Sequence, residues 1–418
     1  MALIQKKSLG LVLAVGGWFL IFGLTLYPMP KQIENASATN IWCLVCGEIG
    51  VVDVLLNVVL FLPLGSGLNL LGLSRFRALL TIGLTTLTVE ALQLGLIVGR
   101  YASLSDLLTN CAGGAIGYVV APHWRQIVRT PSRTSFLLAV VGAVGWLMIQ
   151  AFTAWALERS LPKGIYYGQW APVLGQFEHF TGEVLAAQVG GIRLPGTRLS
   201  DSRLVREALL APTVVLEVRA LSGLPTVDIA PIFSIFDAGQ REIVLLGQNG
   251  RDLVFHIRTR TGPLKLRSPS VHLSNALPGR AGSSLVLQAR YTPGHYHLRS
   301  EVDGRISERD LKVSSSWGWT TVFPFDHAFG TEMIWLTMLW VGGLLFPVGY
   351  WAGRSYAIGV PAASIVLLLL LGLGLVVIPV LFQMTPGHFT EWAAGLLGGG
   401  VGWKLGEREG VRGIGVTH

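Results

Sequence analysis

The stretch Asp53-Val-Leu-Leu-Asn57-Val-Val-Leu-Phe61-Leu-Pro63-Leu-Gly65 sets the problem of this chain. Its interior reads as membrane, because a spanning helix needs roughly 20 apolar residues and the apolar run extends from Val52 to Leu71. Yet Asp53 and Asn57 stand four residues apart, which puts an acid and an amide on one face of that helix. A desolvated polar group in hydrocarbon is costly, so such groups face a partner or a watery cavity.

The remainder of the chain agrees with a membrane setting. Of 418 residues, 51% are hydrophobic and only 13% charged, where a soluble domain has about 25%. Apolar runs predict about eight spans: Leu9–Tyr27, Val52–Leu71, Ala78–Val98, Leu104–Ala121, Phe136–Leu157, Met333–Trp351, Ala357–Phe382 and Phe389–Leu405. The first reads as an uncleaved span, since Tyr27-Pro28-Met29-Pro30 follows where a cleavage site would need small residues. Lys6, Lys7, Arg75, Arg77, Arg125, Arg129, Arg133, Arg354, Lys404 and Arg408 gather on one side of this arrangement. The short loops opposite hold little beyond Lys31 and Arg100. Basic loops stay cytoplasmic, so both termini are expected inside an integral cytoplasmic (inner) membrane. The net charge of +8 is then a topology signal, which argues against a nucleic-acid partner.

Between the fifth and sixth expected spans lies a polar insert, 158–332, which this topology places outside. TVVLEVRAL, APIFSIFDA, EIVLLGQ, DLVFHIRTR, SSLVLQARY and HYHLRSEV read as strands, punctuated by the turns Asn249-Gly250, Pro293-Gly294 and Asp303-Gly304. Many short strands predict a two-sheet antiparallel sandwich. The fold class is thus a polytopic α-helical membrane bundle with an extracytoplasmic all-β sandwich inserted between spans five and six. The expected domains are a five-span region 1–157, the sandwich 158–332, a three-span region 333–405 and a cytoplasmic tail 406–418.

Polar residues recur in the spans after the first. Glu90 and Gln93 share a face of the third span, Arg100 follows it, and Asp106 and Asn110 share a face of the fourth. With Asp53 and Asn57 they fall at similar depth towards the outer side. They predict either an outward-opening, charge-compensated pocket or a network that locks helices together. If the site is enzymatic, Glu90 or Asp106 is the candidate general base and Arg100 the candidate phosphate holder.

The ordered set Asp53-x-x-x-Asn57-x-x-x-Phe61-x-Pro63-x-Gly65, Glu90-x-x-Gln93, Arg100, Asp106-x-x-x-Asn110 and Gly113-x-x-x-Gly117 resembles the VanZ-like membrane family over residues 53–118. That family takes its name from a protein linked to low-level teicoplanin resistance, so the resemblance implies a bacterial envelope protein without supplying a reaction. The run from Ile232 to Arg260 resembles the laminin-G or concanavalin-A-like jelly roll. That resemblance implies calcium or sugar at the loop-rich rim, with Asp237, Asn249 and Asp252 as candidate oxygens.

The C-terminal spans echo the first set. Phe346-Pro347-Val348-Gly349 resembles the Phe61–Gly65 stretch, and GGGVGW (398–403) aligns with GGAIGY (113–118). Glu391 then falls opposite Asp106, Gly395 opposite Asn110, and Leu375 and Ile378 opposite Glu90 and Gln93. A degenerate second copy is expected. Cys43 and Cys46, in an outer loop, are expected to form a local disulfide in an oxidising compartment. His295 and His297 alternate on one strand face as ordinary surface residues.

Together these features predict a non-catalytic envelope protein whose lectin-like domain binds an extracytoplasmic glycan, an envelope precursor or a protein. The rival readings are a membrane enzyme or a flippase acting on a membrane lipid or lipid-linked envelope precursor through the polar pocket. No P-loop, HExxH or GxSxG motif occurs.

Overall fold

The computed structural model describes residues 2–26, 45, 49–96, 103–173, 177–196, 199, 202–239, 241–268, 270–323, 329, 333–355 and 360–414. They form two compact units: Met1–Thr130 with Leu264–Arg267 and Val322–Pro324, and the remainder from Pro131 onwards.

The first unit is helical. Its elements are α1 (Ala2–Thr25), α2 (Gly50–Leu70), α3 (Arg75–Leu96), α4 (Leu104–Val120) and the short α5 (Trp124–Val128). Ala14, Ile21, Phe61, Leu64, Leu68, Ile82 and Val89 form its apolar core. Small residues let α4 approach α2 closely, as membrane packing favours. A Cβ on Gly113 would collide with the Val58 carbonyl, one on Gly117 with the Leu62 carbonyl, and one on Gly65 with the Gly114 carbonyl.

The second unit opens with α6 (Ser132–Ala156). The chain then enters the sandwich: β1 (Tyr166–Trp170), β2 (Glu183–Val189), β3 (Ile192–Leu194), α7 (Ser202–Leu210), β4 (Val214–Leu221), β5 (Ala230–Asp237), β6 (Glu242–Asn249), β7 (Asp252–Ile257), β8 (Ser270–Leu273), β9 (Ser284–Thr292), β10 (His295–Val302) and β11 (Arg305–Lys312). Five strands pair in the order β1-β5-β6-β7-β8 and six in the order β11-β10-β9-β4-β2-β3. All the ladders are antiparallel. The six strands read from the sequence are all present, and the Asp303-Gly304 turn has both residues at positive φ, as a two-residue hairpin requires.

The two sheets bury differently. In β9 buried and solvated residues alternate, whereas β5 is buried along its whole length and β6 everywhere except its ends. A strand covered on both faces reads as a continuous apolar run, which explains IFSIF and IVLL. The open face of the sandwich therefore belongs to the six-stranded sheet.

From the sandwich the chain passes through a buried 3₁₀ segment, Ser315–Val322, to α8 (Ile334–Ser355), α9 (Val360–Gly372), a π-helical turn (Leu373–Val377), α10 (Ile378–Leu381) and α11 (Phe389–Ile414). Gly374 in the π turn admits the Trp146 indole, which a Cβ would strike. The glycine joints of the first unit have parallels here. A Cβ on Gly398 would meet the Gly342 carbonyl, one on Gly402 the Phe346 carbonyl, and one on Gly349 the Gly399 carbonyl.

Six helices among the described residues are long and apolar enough to cross a membrane. They correspond to α1, α2, α3, α6, α8 and the run from Ala362 to Leu381. Two expected spans differ. Helix α4 has 17 residues, about 26 Å at 1.5 Å per residue, less than a hydrocarbon core of roughly 30 Å. Helix α11 continues past Leu405 through Glu407, Arg408 and Glu409 to Ile414, so most of the expected tail is helix.

Candidate functional site

The polar residues of the first unit meet in pairs that tie its helices together. Asn57 on α2 donates from Nδ2 to Asp106 Oδ1 on α4 at 2.6 Å. Ser103 is the N-cap of α4: its hydroxyl accepts the Asp106 backbone N–H at 3.1 Å and donates to Asp106 Oδ2 at 2.8 Å. Capping thus fixes the Asp106 side chain as well as the start of the helix. Both carboxylate oxygens are engaged, one across the α2–α4 joint and one within the cap.

Deeper in the unit, Asn110 Nδ2 donates to Thr86 Oγ1 at 2.8 Å, linking α4 to α3. Gln93 Nε2 donates to the Thr25 carbonyl at 2.9 Å, linking α3 to the end of α1. Glu90, Gln93, Asn110 and Thr86 are all buried, whereas Asp53 is exposed in the first turn of α2. The predicted gathering therefore contains Asn57 with Asp106, while Asn110 and Gln93 serve neighbouring joints. Thr86 and Thr25 escape sequence reading because threonine in an apolar helix carries no distinctive signal. Ser103 was not read from the sequence either, although a serine three residues before an acid is a helix-start signal. Arg100, Cys43 and Cys46 lie outside the described residues.

Chemically, a carboxylate that accepts on both oxygens from positioned donors is held in one orientation. Such a group suits locking helices, or presenting one edge to a ligand, better than removing a proton.

In the sandwich, two of the three candidate rim residues, Asp237 and Asp252, have their carboxylates engaged. Asp237 accepts from the Gly239 and Arg241 backbone N–H groups at 2.9 and 3.1 Å, and pairs with Arg241 and Arg258 at 3.1 and 3.2 Å. Burial pushes its carboxyl up, but these donors outweigh that and hold it below the usual range. Asp252 Oδ1 accepts the Asn275 N–H at 2.8 Å, and Asn249 pairs with Asp252 across the β6–β7 hairpin. Among the described residues no group of three or more His, Cys, Asp or Glu side chains is placed to hold a metal ion. His295 and His297 do share a face, and both turn to Asp310 on β11, at 2.5 and 3.6 Å.

One feature of the open sheet face is absent from single strands and emerges only from their register. Arg193, Gln188, Glu217, Gln288, Arg299 and Glu308 stand opposite one another across all six strands. Glu217 accepts from Gln188 and, at 2.8 Å, from Gln288, while Arg299 lies 3.6 Å from Glu308. At roughly 4.8 Å per strand, the row is about 24 Å long.

Residues 15–127 match the family model described as VanZ/LLP1. The match supports a VanZ-like domain over those residues, from within α1 to within α5. No curated protein and no solved structure matches the chain.

Proposed function

We propose that this chain is a bacterial envelope membrane protein that displays its β-sandwich outside the cytoplasmic membrane as a non-catalytic binding module for an envelope glycan or glycan-bearing precursor. The observation that carries the reading is the polar row across the six-stranded sheet. Gln188 and Gln288 both donate to Glu217 and Arg299 pairs with Glu308, so at these positions little side-chain entropy remains to be lost on binding. A line of alternating donors and acceptors on an open face is suited to a hydroxyl-rich polymer laid across the strands. A laminin-G or concanavalin-A-like ancestry fits the two-sheet plan, though the Asp237 and Asp252 carboxylates are engaged within the protein and the sheet face offers the better surface.

The VanZ-like unit is the membrane partner of this module. Its acid is bonded on both oxygens, which favours a structural lock over general-base catalysis. A contribution to teicoplanin tolerance belongs to the same reading. With both termini cytoplasmic, a reporter fused after His418 is active only inside the cell.

The test is binding of purified full-length protein to insoluble peptidoglycan and to soluble polysaccharides. Glu217→Ala and Arg299→Ala are expected each to weaken binding at least tenfold. Undiminished binding in both variants, or binding to no glycan, overturns the proposal.

A further inference from the structure

The glycine joints of the two units correspond residue by residue. On α4, Gly113, Gly114 and Gly117 meet the Val58 carbonyl, the Ile82 side chain and the Leu62 carbonyl; on α11, Gly398, Gly399 and Gly402 meet the Gly342 carbonyl, the Leu367 side chain and the Phe346 carbonyl. One constant shift along the sequence carries each α4 glycine to its α11 counterpart, and another does the same from α2 to α8. The first helices match as well. Gly17 on α1 lies against Leu64, and Gly142 on α6 against Val348, the residue equivalent to Leu64. On that alignment Ile21 corresponds to Trp146 and Thr25 to Gln150, all four being buried. The whole sandwich then occupies the connection that corresponds to the α1–α2 loop.

Carried across, the polar positions of the first unit become mostly apolar in the second. Val341, Leu375, Ile378 and Gly395 stand where Asn57, Glu90, Gln93 and Asn110 stood. Three positions remain polar: Gln150 on α6, Thr337 on α8 (opposite Asp53) and Glu391 on α11 (opposite Asp106). All three are at most 2% exposed, and all three bond to one short stretch of chain. Ser314 donates to both Glu391 oxygens at 2.9 and 3.1 Å. Ser315 donates to Gln150 Oε1 at 2.6 Å. The Trp319 indole N–H donates to Thr337 Oγ1 at 3.0 Å. The stretch Ser315–Thr321 is buried throughout and begins three residues after β11 ends.

We infer that residues 132–414 rebuild the plan of α1–α4, and that the polar site of this second unit is a polypeptide-binding site filled in cis by the sandwich's own exit segment, Ser314–Trp319. The ligand class is a compact turn offering hydroxyl and indole donors. Its acceptors are one carboxylate, one amide and one hydroxyl, each from a different helix. The consequence is coupling: β11 cannot shift along its ladder with β10 without loading the bonds at Glu391 and Gln150. This inference does not depend on what the open sheet face binds.

The experiment is hydrogen exchange read by mass spectrometry on the full-length protein in nanodiscs, with peptides covering 313–322 compared with β5 and β6. Ser314→Ala is expected to raise exchange over 313–322 about tenfold, and the combination with Gln150→Ala and Thr337→Val further, with β5 and β6 unchanged. Glu391→Gln, which retains an acceptor, is expected to keep most of the protection. In the Ser314→Ala background, a labelled peptide of residues 313–322 is expected to bind in trans, at least tenfold more weakly after Glu391→Ala. Protection that is unchanged in Ser314→Ala, exchange that rises equally in β5 and β6, or a peptide that fails to bind or ignores Glu391 each overturns the inference.

Discussion

Gly65 on α2 and Gly349 on α8 make the same contact in different parts of the chain: each has its Cα pressed against the carbonyl of a glycine on a partner helix, Gly114 in one case and Gly399 in the other. In lipid no hydrophobic force drives helices together, so close backbone approach and the dispersion it allows carry much of the association.

Alanine at either position is therefore expected to destabilise its own unit. The added Cβ meets backbone, which cannot swing aside, and overpacking of this kind costs about 1–3 kcal/mol. Gly16→Ala is the control, since a Cβ there meets nothing within 4 Å and a helical glycine gives up about 0.5–1 kcal/mol relative to alanine. Thermal unfolding in detergent should show Gly65→Ala and Gly349→Ala melting below the parent, and Gly16→Ala at or above it.

The Asn57–Asp106 bond makes a separate prediction. A hydrogen bond contributes about 0.5–1.5 kcal/mol between neutral groups and about 1.5–3 kcal/mol to a charged one. The cycle of Asn57→Ala, Asp106→Ala and the double variant isolates that share from the cap that Ser103 provides. A coupling energy in either range by denaturant unfolding marks Asp106 as a helix lock. A coupling near zero returns it to the pool of candidate ligand groups.

What the sequence made legible follows its periodicities. Apolar runs placed six of the eight expected spans, and alternation with Gly-containing turns placed β4–β7, β9 and β10. Strand β11, Arg-Ile-Ser-Glu-Arg-Asp-Leu-Lys, was missed because an edge strand beside water needs only a few inward apolar residues, and its charges read as loop. Its polarity is how sheets avoid edge-to-edge pairing. The pairing of α6 with α8 was not legible either, since the whole sandwich separates them in the chain. The exit segment fell within the expected insert 158–332 and was not singled out. Its signal was compositional: Ser314-Ser-Ser-Trp-Gly-Trp-Thr-Thr321 carries no charge and two tryptophans, which a solvated linker has no reason to keep. The site was read in part, because helix faces were predictable while partners such as Thr86 and Thr25 depend on how the helices dock.

The sandwich should lose stability on acidification in two steps with different owners. His272 on β8 is half-buried, and its desolvation holds the imidazole below the ordinary value; Asp252 opposes this and Arg309 adds to it. A histidine of this kind binds its proton more readily in the unfolded chain. Its share of the stability is complete above about pH 6.5, the unfolded value, and is lost as pH falls from there towards the folded value. Asp237 is held below the usual carboxylate range, its donors prevailing over burial, so its share is complete above about pH 4 and is lost as pH falls through the lower, folded value. Melting of the sandwich, followed between pH 7.5 and 3, should therefore decline first below pH 6.5 and again below pH 4. His272→Gln should flatten only the first decline and Asp237→Asn only the second. If either variant flattens the other's decline, the two groups are coupled through β6 and β7, which lie between β5 and β8, and the assignment of separate owners fails.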